Sequence, residues 1–332
     1  MVTARGAGEL HRMPSLKSHL IALVLRHWHR TAFTSPEGLH KWIAWARRRQ
    51  DHRPPLSFSQ RFDVSVREVA GSPVYEMRAK LARSRLHLLY LHGGAFIFEI
   101  GSYHWNLIAE LTERLGAIVT VPVYPLAPER QFHDIFAMSL QVYRDLLDRT
   151  SPANIALVGD SAGGNMAVVM TMLAAEQGLP SPAAHVLISP GLDMSLVNPA
   201  TSEAARADPW LAIPGGLEAI RLYAAGLERT DWRISPIYGD LTVLPKTLLL
   251  SGTRDILHPD NLVFAEKARA AGVDVELLVA QGMLHVWPLF PIREARPARD
   301  RIVAFLKEIE AAVPRKTQNL PFSRNASNAA LM

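Results

Sequence analysis

Cysteine is absent from the 332-residue chain, which excludes disulfide bonds, cysteine-ligated zinc sites and a thiol nucleophile. Long apolar runs are missing as well. The longest near the start, residues 20–25, is shorter than a signal-peptide core and far too short to span a bilayer. We therefore expect a cytoplasmic protein without stable membrane insertion. Charged residues make up 20% of the chain and hydrophobic residues 48%, proportions that are ordinary for a folded globular protein and exclude a disordered one.

The formal net charge is +5, which raises the question of nucleic-acid binding. The basic residues are spread along the chain apart from Arg47, Arg48 and Arg49, and no nucleic-acid-binding module is recognisable. We therefore predict no nucleic-acid partner. The arginine triplet is interpreted as part of the solvated face of a helix.

The first sixty residues are predicted to form a helical segment that is separate from the rest. Residues 15–29 carry apolar residues at helical spacing. A second helix is expected to begin after Ser35, an N-cap residue that is followed by Pro36 at the first helical position. Residues 53–55 then break the pattern with two prolines.

Residues 61–312 are predicted to form one α/β domain, in which short apolar runs alternate with helical segments. Two antiparallel strands are expected around Val64 and Met77, and the helices include residues 135–147 and 165–177. The predicted buried strands are residues 86–91, 117–124, 154–159, 184–189, 246–251 and 274–279. Alternation over this length indicates a mostly parallel sheet with helices on both faces.

Two further segments interrupt this pattern. Residues 195–238 contain no strand-like run but include a helix that begins near Pro214. An insertion of this kind sits above the carboxyl ends of the strands, so we interpret it as one half of a helical cap, with residues 1–60 as the other half. Residues 313–332 lose all periodicity and are predicted to be a flexible tail.

The most specific motif is Gly-Asp-Ser-Ala-Gly-Gly at residues 159–164, between an apolar strand and a helix. This is the Gly-x-Ser-x-Gly nucleophile elbow in the context that it requires. Glycines are needed there because any side chain would collide with the neighbouring strand or helix. The turn exposes the hydroxyl of Ser161 at a helix N-terminus, where N–H groups favour developing negative charge.

A second motif, residues 90–96, ends another apolar strand with His92, Gly93 and Gly94. Successive glycines leave backbone N–H groups open to a ligand, and acyl transfer needs such donors for the oxyanion of its tetrahedral intermediate. We assign the oxyanion hole to the N–H groups of Gly93, Gly94 and Ala162. His92 is interpreted as bracing this loop rather than as transferring protons.

A hydrolase triad built on such an elbow follows the order serine, acid, histidine. Asp255 and His285 each follow a predicted strand, which places both at the carboxyl edge of the sheet beside Ser161. They are the predicted acid and base. His258 is the alternative base, and Asp193, one strand earlier, is the alternative acid. A metal-ligand set, a phosphate-binding loop and a dinucleotide fingerprint are all unrecognisable, so no metal and no cofactor are expected.

Several motifs occur together and in order in residues 86–311. They are His92-Gly93-Gly94, Tyr124-Pro125-Leu126-Ala127-Pro128-Glu129, residues 159–164, Ser189-Pro190, Asp255-Ile256-Leu257 and His285-Val286. In this combination the chain resembles the hormone-sensitive-lipase-like branch of the α/β-hydrolases, which includes bacterial carboxylesterases and arylacetamide deacetylase. The resemblance implies an α/β-hydrolase fold with a helical cap. It also implies serine-dependent carboxylic-ester hydrolysis without a cofactor, with the triad and oxyanion residues named above.

Two positions depart from the pattern of that family. Ala95 stands where a third glycine is usual, and Pro125 stands where an arginine is common. The first departure predicts a modest change in the shape of the acyl pocket, and the second removes one structural salt bridge.

The substrate is expected to be a small hydrophobic ester with a short acyl chain, an aryl group or a lactone ring, because the cap is rich in apolar residues. Hydrolysis would proceed through an acyl-enzyme intermediate. An amidase or N-deacetylase with the same triad remains an alternative, as does a non-catalytic ligand-binding homologue. A homodimer is possible on this sequence.

Overall fold

The structure is a computed structural model that describes residues 8–10, 14–81 and 83–314. Within these residues one sheet contains all nine strands. In chain order they are β1 (Gly8–Leu10), β2 (Phe62–Val69), β3 (Ser72–Ala79), β4 (His87–Leu91), β5 (Ile118–Pro122), β6 (Ile155–Asp160), β7 (Ala184–Ile188), β8 (Lys246–Arg254) and β9 (Val275–Leu284). The predicted flexible tail lies outside the described residues from residue 315 onward.

The strand order across the sheet is β1-β9-β8-β7-β6-β4-β5-β3-β2. Strand β3 runs antiparallel to both of its neighbours, β2 and β5, and the other pairs are parallel. Strands β4, β6 and β7 are buried at every position, as expected for parallel strands covered on both faces. The predicted α/β-hydrolase fold with a mostly parallel sheet is therefore confirmed.

Nine α-helices surround this sheet within the described residues. They are α1 (Leu16–Val24), α2 (Pro36–Ala46), α3 (Ser102–Leu115), α4 (Phe132–Leu147), α5 (Ala162–Glu176), α6 (Thr201–Ala207), α7 (Ile213–Tyr223), α8 (His258–Ala270) and α9 (Ala295–Ala312). The apolar side chains of α3 and α9 pack into one hydrophobic layer, and those of α4, α5 and α8 pack into the other. The sheet is thus covered on both faces, which leaves its carboxyl edge for the site.

The sequence missed three kinds of detail in this fold. Strand β1 lies within the segment predicted to be helical and separate, yet it pairs in parallel with β9 at the edge of the sheet. Strands β8 and β9 extend beyond the predicted ranges to Arg254 and Leu284, because they continue to pair with each other past their apolar runs. Helix α6 was not predicted, since it has only seven residues and three of them are charged or hydroxylated in its first turn. A segment that short carries almost no periodicity.

The helices of the two proposed cap segments lie against each other. The backbone N–H of Gly215, at the start of α7, donates a hydrogen bond of 2.8 Å to the carbonyl oxygen of Phe33, just before α2. The guanidinium of Arg30 donates to the carbonyl oxygen of Ala205 in α6 at 2.9 Å. Residues 1–60 and 195–238 are therefore joined by backbone contacts, and we continue to propose that together they form one cap over a catalytic domain of residues 61–312.

The interpretation of the arginine triplet as a solvated face is wrong for Arg47. Its guanidinium donates hydrogen bonds to the carbonyl oxygens of Ile97 (2.5 Å) and Ala127 (2.7 Å). It also forms a salt bridge of 3.0 Å with Glu129. This side chain ties the end of α2 to the loop after β4 and to the Leu-Ala-Pro-Glu motif. Arg48 and Arg49 are exposed.

The contact between α7 and Phe33 predicts a difference between two adjacent glycines. A Cβ atom at Gly215 would lie 2.3 Å from the Cα atom of Phe33, whereas one at Gly216 would first meet a methyl group of Leu196 at 3.3 Å. Alanine favours a helix over glycine by about 1 kcal/mol, but overpacking costs roughly 1–3 kcal/mol. We expect Gly215→Ala to lower the thermal unfolding midpoint and Gly216→Ala to leave it unchanged or raise it, as followed by circular dichroism. Equal midpoints for the two variants would contradict this packing.

Candidate active site

The serine of the elbow lies in a sharp turn between β6 and α5. Ser161 has φ 52° and ψ −118°, a conformation that costs energy for a residue with a side chain. The turn is possible because the backbones approach closely on either side of it. A Cβ atom at Gly163 would lie 1.9 Å from the carbonyl oxygen of Leu91, and one at Gly159 would lie 2.3 Å from the carbonyl oxygen of Gly163. The glycines therefore meet the steric requirement that the motif predicts.

The structure brings together the three predicted triad side chains. Asp255 directly follows β8 and His285 directly follows β9, and these strands are parallel neighbours. The Nδ1–H group of His285 donates to Oδ2 of Asp255 over 2.8 Å. The hydroxyl of Ser161 donates to Nε2 of the same ring over 2.9 Å. Asp255 and His285 are buried, so water does not compete strongly for these hydrogen bonds.

The two alternative residues have other partners. Nδ1 of His258 accepts a hydrogen bond of 2.8 Å from the hydroxyl of Ser251. The carboxylate of Asp193 accepts from the backbone N–H of Ser195 at 2.9 Å and from the hydroxyl of Tyr238 at 2.7 Å. His258 therefore connects the start of α8 to β8, and Asp193 stabilises the loop after β7.

The electrostatic surroundings raise the pKa of His285 above its ordinary value of 6.5. Burial alone would lower this pKa because it disfavours the imidazolium ion. The negative charge and hydrogen bond of Asp255 outweigh burial, with smaller contributions from Asp208 and Asp160. The site thus favours a proton on the imidazole when one is transferred to it.

The proposed oxyanion donors lie beside the serine. A Cβ atom at Gly93 would lie 3.1 Å from Cβ of Ser161 and 2.2 Å from a carboxylate oxygen of Asp160. Gly94 has φ 127°, and its Cβ would overlap the carbonyl oxygen of Phe98 at 2.4 Å. Ala162 is the first residue of α5, where backbone N–H groups have no acceptor within the helix. Gly93 therefore lies next to Ser161, and the N–H groups of Gly93, Gly94 and Ala162 remain the predicted oxyanion donors.

His92 is buried beneath this loop. Its Nδ1–H group donates to the carbonyl oxygen of Gly93 at 2.7 Å, and its own carbonyl oxygen accepts a hydrogen bond of 2.7 Å from the hydroxyl of Tyr124. The two rings stack with centroids 4.2 Å apart. Burial lowers the pKa of His92 to about 3, so the ring is neutral and holds the loop, as its interpretation as a brace requires.

A second buried carboxylate near the triad was not found from the sequence. Oδ1 of Asp208, between α6 and α7, accepts hydrogen bonds from the backbone N–H groups of Trp210 (2.6 Å) and Leu211 (2.9 Å). Its Oδ2 accepts from the N–H of Ile256 at 2.9 Å. Burial, and then the charge of Asp255, raise the pKa of Asp208 to about 6. No local pattern marks Asp208, because only the folded chain brings it to Ile256, the residue after Asp255.

A cavity of about 570 Å³ lies above Ser161 and His285, between the proposed cap and the sheet. Its walls are mostly apolar, with side chains from both sides of the cleft. They include Leu25, Phe33, Trp42, Trp45, Trp210 and Leu211 from the proposed cap and Phe98, Val286, Leu289 and Phe290 from the catalytic domain. The aromatic side chains of Tyr223 and Trp287 do not line this cavity and are fully buried in the core.

Within residues 8–10, 14–81 and 83–314, no group of three or more metal-ligating side chains lies close enough together to hold an ion. Among the same residues, no helix has the length and hydropathy needed to cross a bilayer.

Comparison with known proteins identifies the family. The family described as having the alpha/beta hydrolase fold matches residues 88–289. An esterase of Acinetobacter venetianus is 30% identical over 76% of this chain and 85% of its own length. An acetyl-hydrolase of Streptomyces hygroscopicus is 32% identical over 66% of this chain and 75% of its own length.

A crystal structure of an esterase from the bacterial hormone-sensitive lipase family superposes with a TM-score of 0.77 at 28% identity, covering 90% of this chain and 100% of that one. The resemblance stated from the sequence motifs is confirmed by these matches. The chain belongs to the α/β-hydrolase family.

Proposed function

We propose that this protein is a serine carboxylesterase that hydrolyses small hydrophobic esters through an acyl-enzyme intermediate. The observation that carries the proposal is the hydrogen-bonded series Asp255–His285–Ser161, with distances of 2.8 and 2.9 Å, at the floor of an apolar cavity. The names of the relatives, an esterase and an acetyl-hydrolase, support the same reaction class.

In the proposed reaction, Oγ of Ser161 attacks the ester carbonyl carbon while Nε2 of His285 accepts the hydroxyl proton. The carbonyl oxygen becomes an anion and accepts hydrogen bonds from the N–H groups of Gly93, Gly94 and Ala162. Collapse of this intermediate breaks the C–O bond, and His285 returns the proton to the leaving alcohol. Water then attacks the acyl-enzyme in the same way, which releases the acid and restores the serine.

Asp255 acts through its hydrogen bond and its charge on the imidazole of His285. Asp255 fixes the tautomer in which Nδ1 carries the proton, so that Nε2 is free to accept the proton of Ser161. Its carboxylate also stabilises the imidazolium that forms at the transition state. No step needs a metal or an organic cofactor.

The size and polarity of the cavity support a short or aromatic substrate. The indole rings of Trp42 and Trp210 both contact the ring of His29, with centroid distances of 5.3 and 6.4 Å. These rings offer flat apolar contacts to an aryl or alkyl group. The carboxylates of Glu99 and Asp160 also line the cavity, and their negative charge disfavours an anionic acyl group there.

Removal of the nucleophile tests the reaction class directly. We expect Ser161→Ala to lower kcat on p-nitrophenyl acetate by at least about four orders of magnitude and to abolish labelling by a fluorophosphonate probe. His285→Asn should lower kcat comparably, whereas His258→Asn, the matched change at the alternative base, should keep most of the activity. Retention of activity by His285→Asn, or its loss only in His258→Asn, would refute the assigned base.

The acid limb of the pH profile reports the charge of His285. Because the base must be neutral and its pKa is raised above 6.5, kcat/KM should begin to fall while the pH is still above 6.5. Asp255→Asn removes the stabilising charge and leaves burial, so the limb should move to lower pH, and kcat should drop by roughly 10³–10⁴. The control Asp193→Asn should leave the midpoint in place. If Asp193→Asn moved the midpoint and Asp255→Asn did not, the triad acid would be Asp193.

A substrate series tests the proposed specificity. We expect kcat/KM on p-nitrophenyl esters, tested from acetate to decanoate, to be highest at short acyl chains, because the proposed cap limits the length of the cavity. A rate that rises up to the longest chain would contradict the short-chain assignment. Matched acetyl ester and acetyl amide substrates separate esterase from amidase action. We expect the ester to be hydrolysed at least about tenfold faster, because an alcohol leaves more readily than an amine.

A further inference from the structure

The outer face of helix α1 and of the turn that follows it is apolar and exposed. Leu16 and Trp28 expose 90% and 71% of their surface, and Leu20, Leu23 and Val24 between them are about half exposed. These positions are spaced by three, four or one residues, which puts them on one side of a helix. We call this set of five residues the α1 face. Large apolar side chains on a protein surface are usually single, and a continuous set indicates a binding surface.

This exposure does not come from a detached helix. The backbone N–H and hydroxyl of Ser15, the N-cap residue, donate to the carboxylate of Glu294 at 2.5 and 3.0 Å. On the opposite side of the helix Ser18, Ala22 and Leu25 are buried. Contacts at its first turn and along its inner side therefore hold α1 in an orientation that turns the apolar face outward.

The α1 face continues into the wall of the catalytic cavity. Leu20 and Val24 belong to the face and also line the cavity above Ser161. Trp45, at the end of α2, is likewise both half exposed and part of the cavity wall. A molecule that moved along the face would meet apolar surface continuously from the outside to the reacting hydroxyl.

Positive charge is concentrated in the same part of the chain. The first sixty residues contain ten Lys and Arg against three Asp and Glu, a net charge of +7, whereas the remaining residues carry −2. Lys and Arg are spread along the chain, but their excess over Asp and Glu lies in the first sixty residues. Lys17 is exposed on α1, Arg26 is exposed in the turn that follows it, and Arg48 and Arg49 are exposed near Trp45.

We propose that the α1 face binds reversibly to an anionic lipid surface, with the mouth of the catalytic cavity against that surface. Apolar side chains beside Lys and Arg are the pattern by which short amphipathic helices lie in the headgroup region without spanning the bilayer. The cations are attracted by anionic headgroups, and the apolar side chains enter the acyl boundary. Apolar esters dissolved in the lipid then reach the cavity without crossing water. The binding itself does not depend on the proposed esterase activity.

Vesicle sedimentation tests this proposal with the full chain. We expect the protein to sediment with vesicles of phosphatidylcholine and phosphatidylglycerol, to bind vesicles of phosphatidylcholine alone more weakly, and to be released by added salt. The double variant Leu23→Ser/Trp28→Ser, at two positions that do not line the cavity, should weaken binding to the anionic vesicles by at least about tenfold. Lys17→Glu/Arg26→Glu should remove the preference for anionic vesicles.

The controls separate binding from folding and from catalysis. Leu81→Ser changes a leucine that is 81% exposed elsewhere on the molecule and should bind vesicles like the wild type. Leu23→Ser/Trp28→Ser should hydrolyse a water-soluble ester at the wild-type rate, and Ser161→Ala should still bind vesicles. The proposal is overturned if the protein binds neither kind of vesicle or if Leu23→Ser/Trp28→Ser binds as well as Leu81→Ser. It is also overturned if sedimentation velocity shows a dimer that this double variant dissociates, because a second copy would then cover the face.

Discussion

The close approach of three backbone segments around residue 161 is the constraint on which the site depends. Helix α5 begins so near to β4 that a Cβ atom at Gly163 would lie 1.9 Å from the carbonyl oxygen of Leu91. This contact forces the turn to hold Ser161 at a positive φ and lifts its hydroxyl out of the sheet. The same crowding brings the loop of Gly93 beside the serine, so that nucleophile and backbone donors are positioned by one packing requirement.

The parallel sheet supplies the other half of the geometry. Because β8 and β9 are parallel neighbours, the residues that follow them emerge side by side at the same edge. Asp255 and His285, thirty positions apart in the chain, therefore meet without any local sequence relation. The wall of apolar side chains above them excludes water, which strengthens the interaction of the carboxylate with the imidazole. Sheet topology thus brings the charge of Asp255 to the imidazole, and this charge raises the pKa of His285 against the opposing effect of burial.

Sequence reasoning was most informative where a rule of local geometry determines the residue type. Glycines in a strand-to-helix turn and apolar runs in parallel strands have strict steric causes, so the elbow and the central strands could be read directly. Residues whose partners lie far away in the sequence could not be assigned in this way. Arg47 looked like one of three surface arginines, and nothing in its neighbourhood showed that it would reach Glu129. The same holds for helix α6, which is too short to have a pattern. It accepts a hydrogen bond from Arg30, and Asn198, just before it, donates one to Asp260 of α8.

Asp208 limits which segments could replace residues 195–238 in this fold. This carboxylate belongs to the inserted helices, yet it receives the peptide N–H of Ile256, the neighbour of Asp255. The segment that shapes the pocket and the turn that carries the acid are thus joined at a single buried side chain. A chimera that exchanged residues 195–238 for those of a relative would have to retain a hydrogen-bond acceptor at this point. Without one, the graft would disturb proton transfer as well as substrate choice.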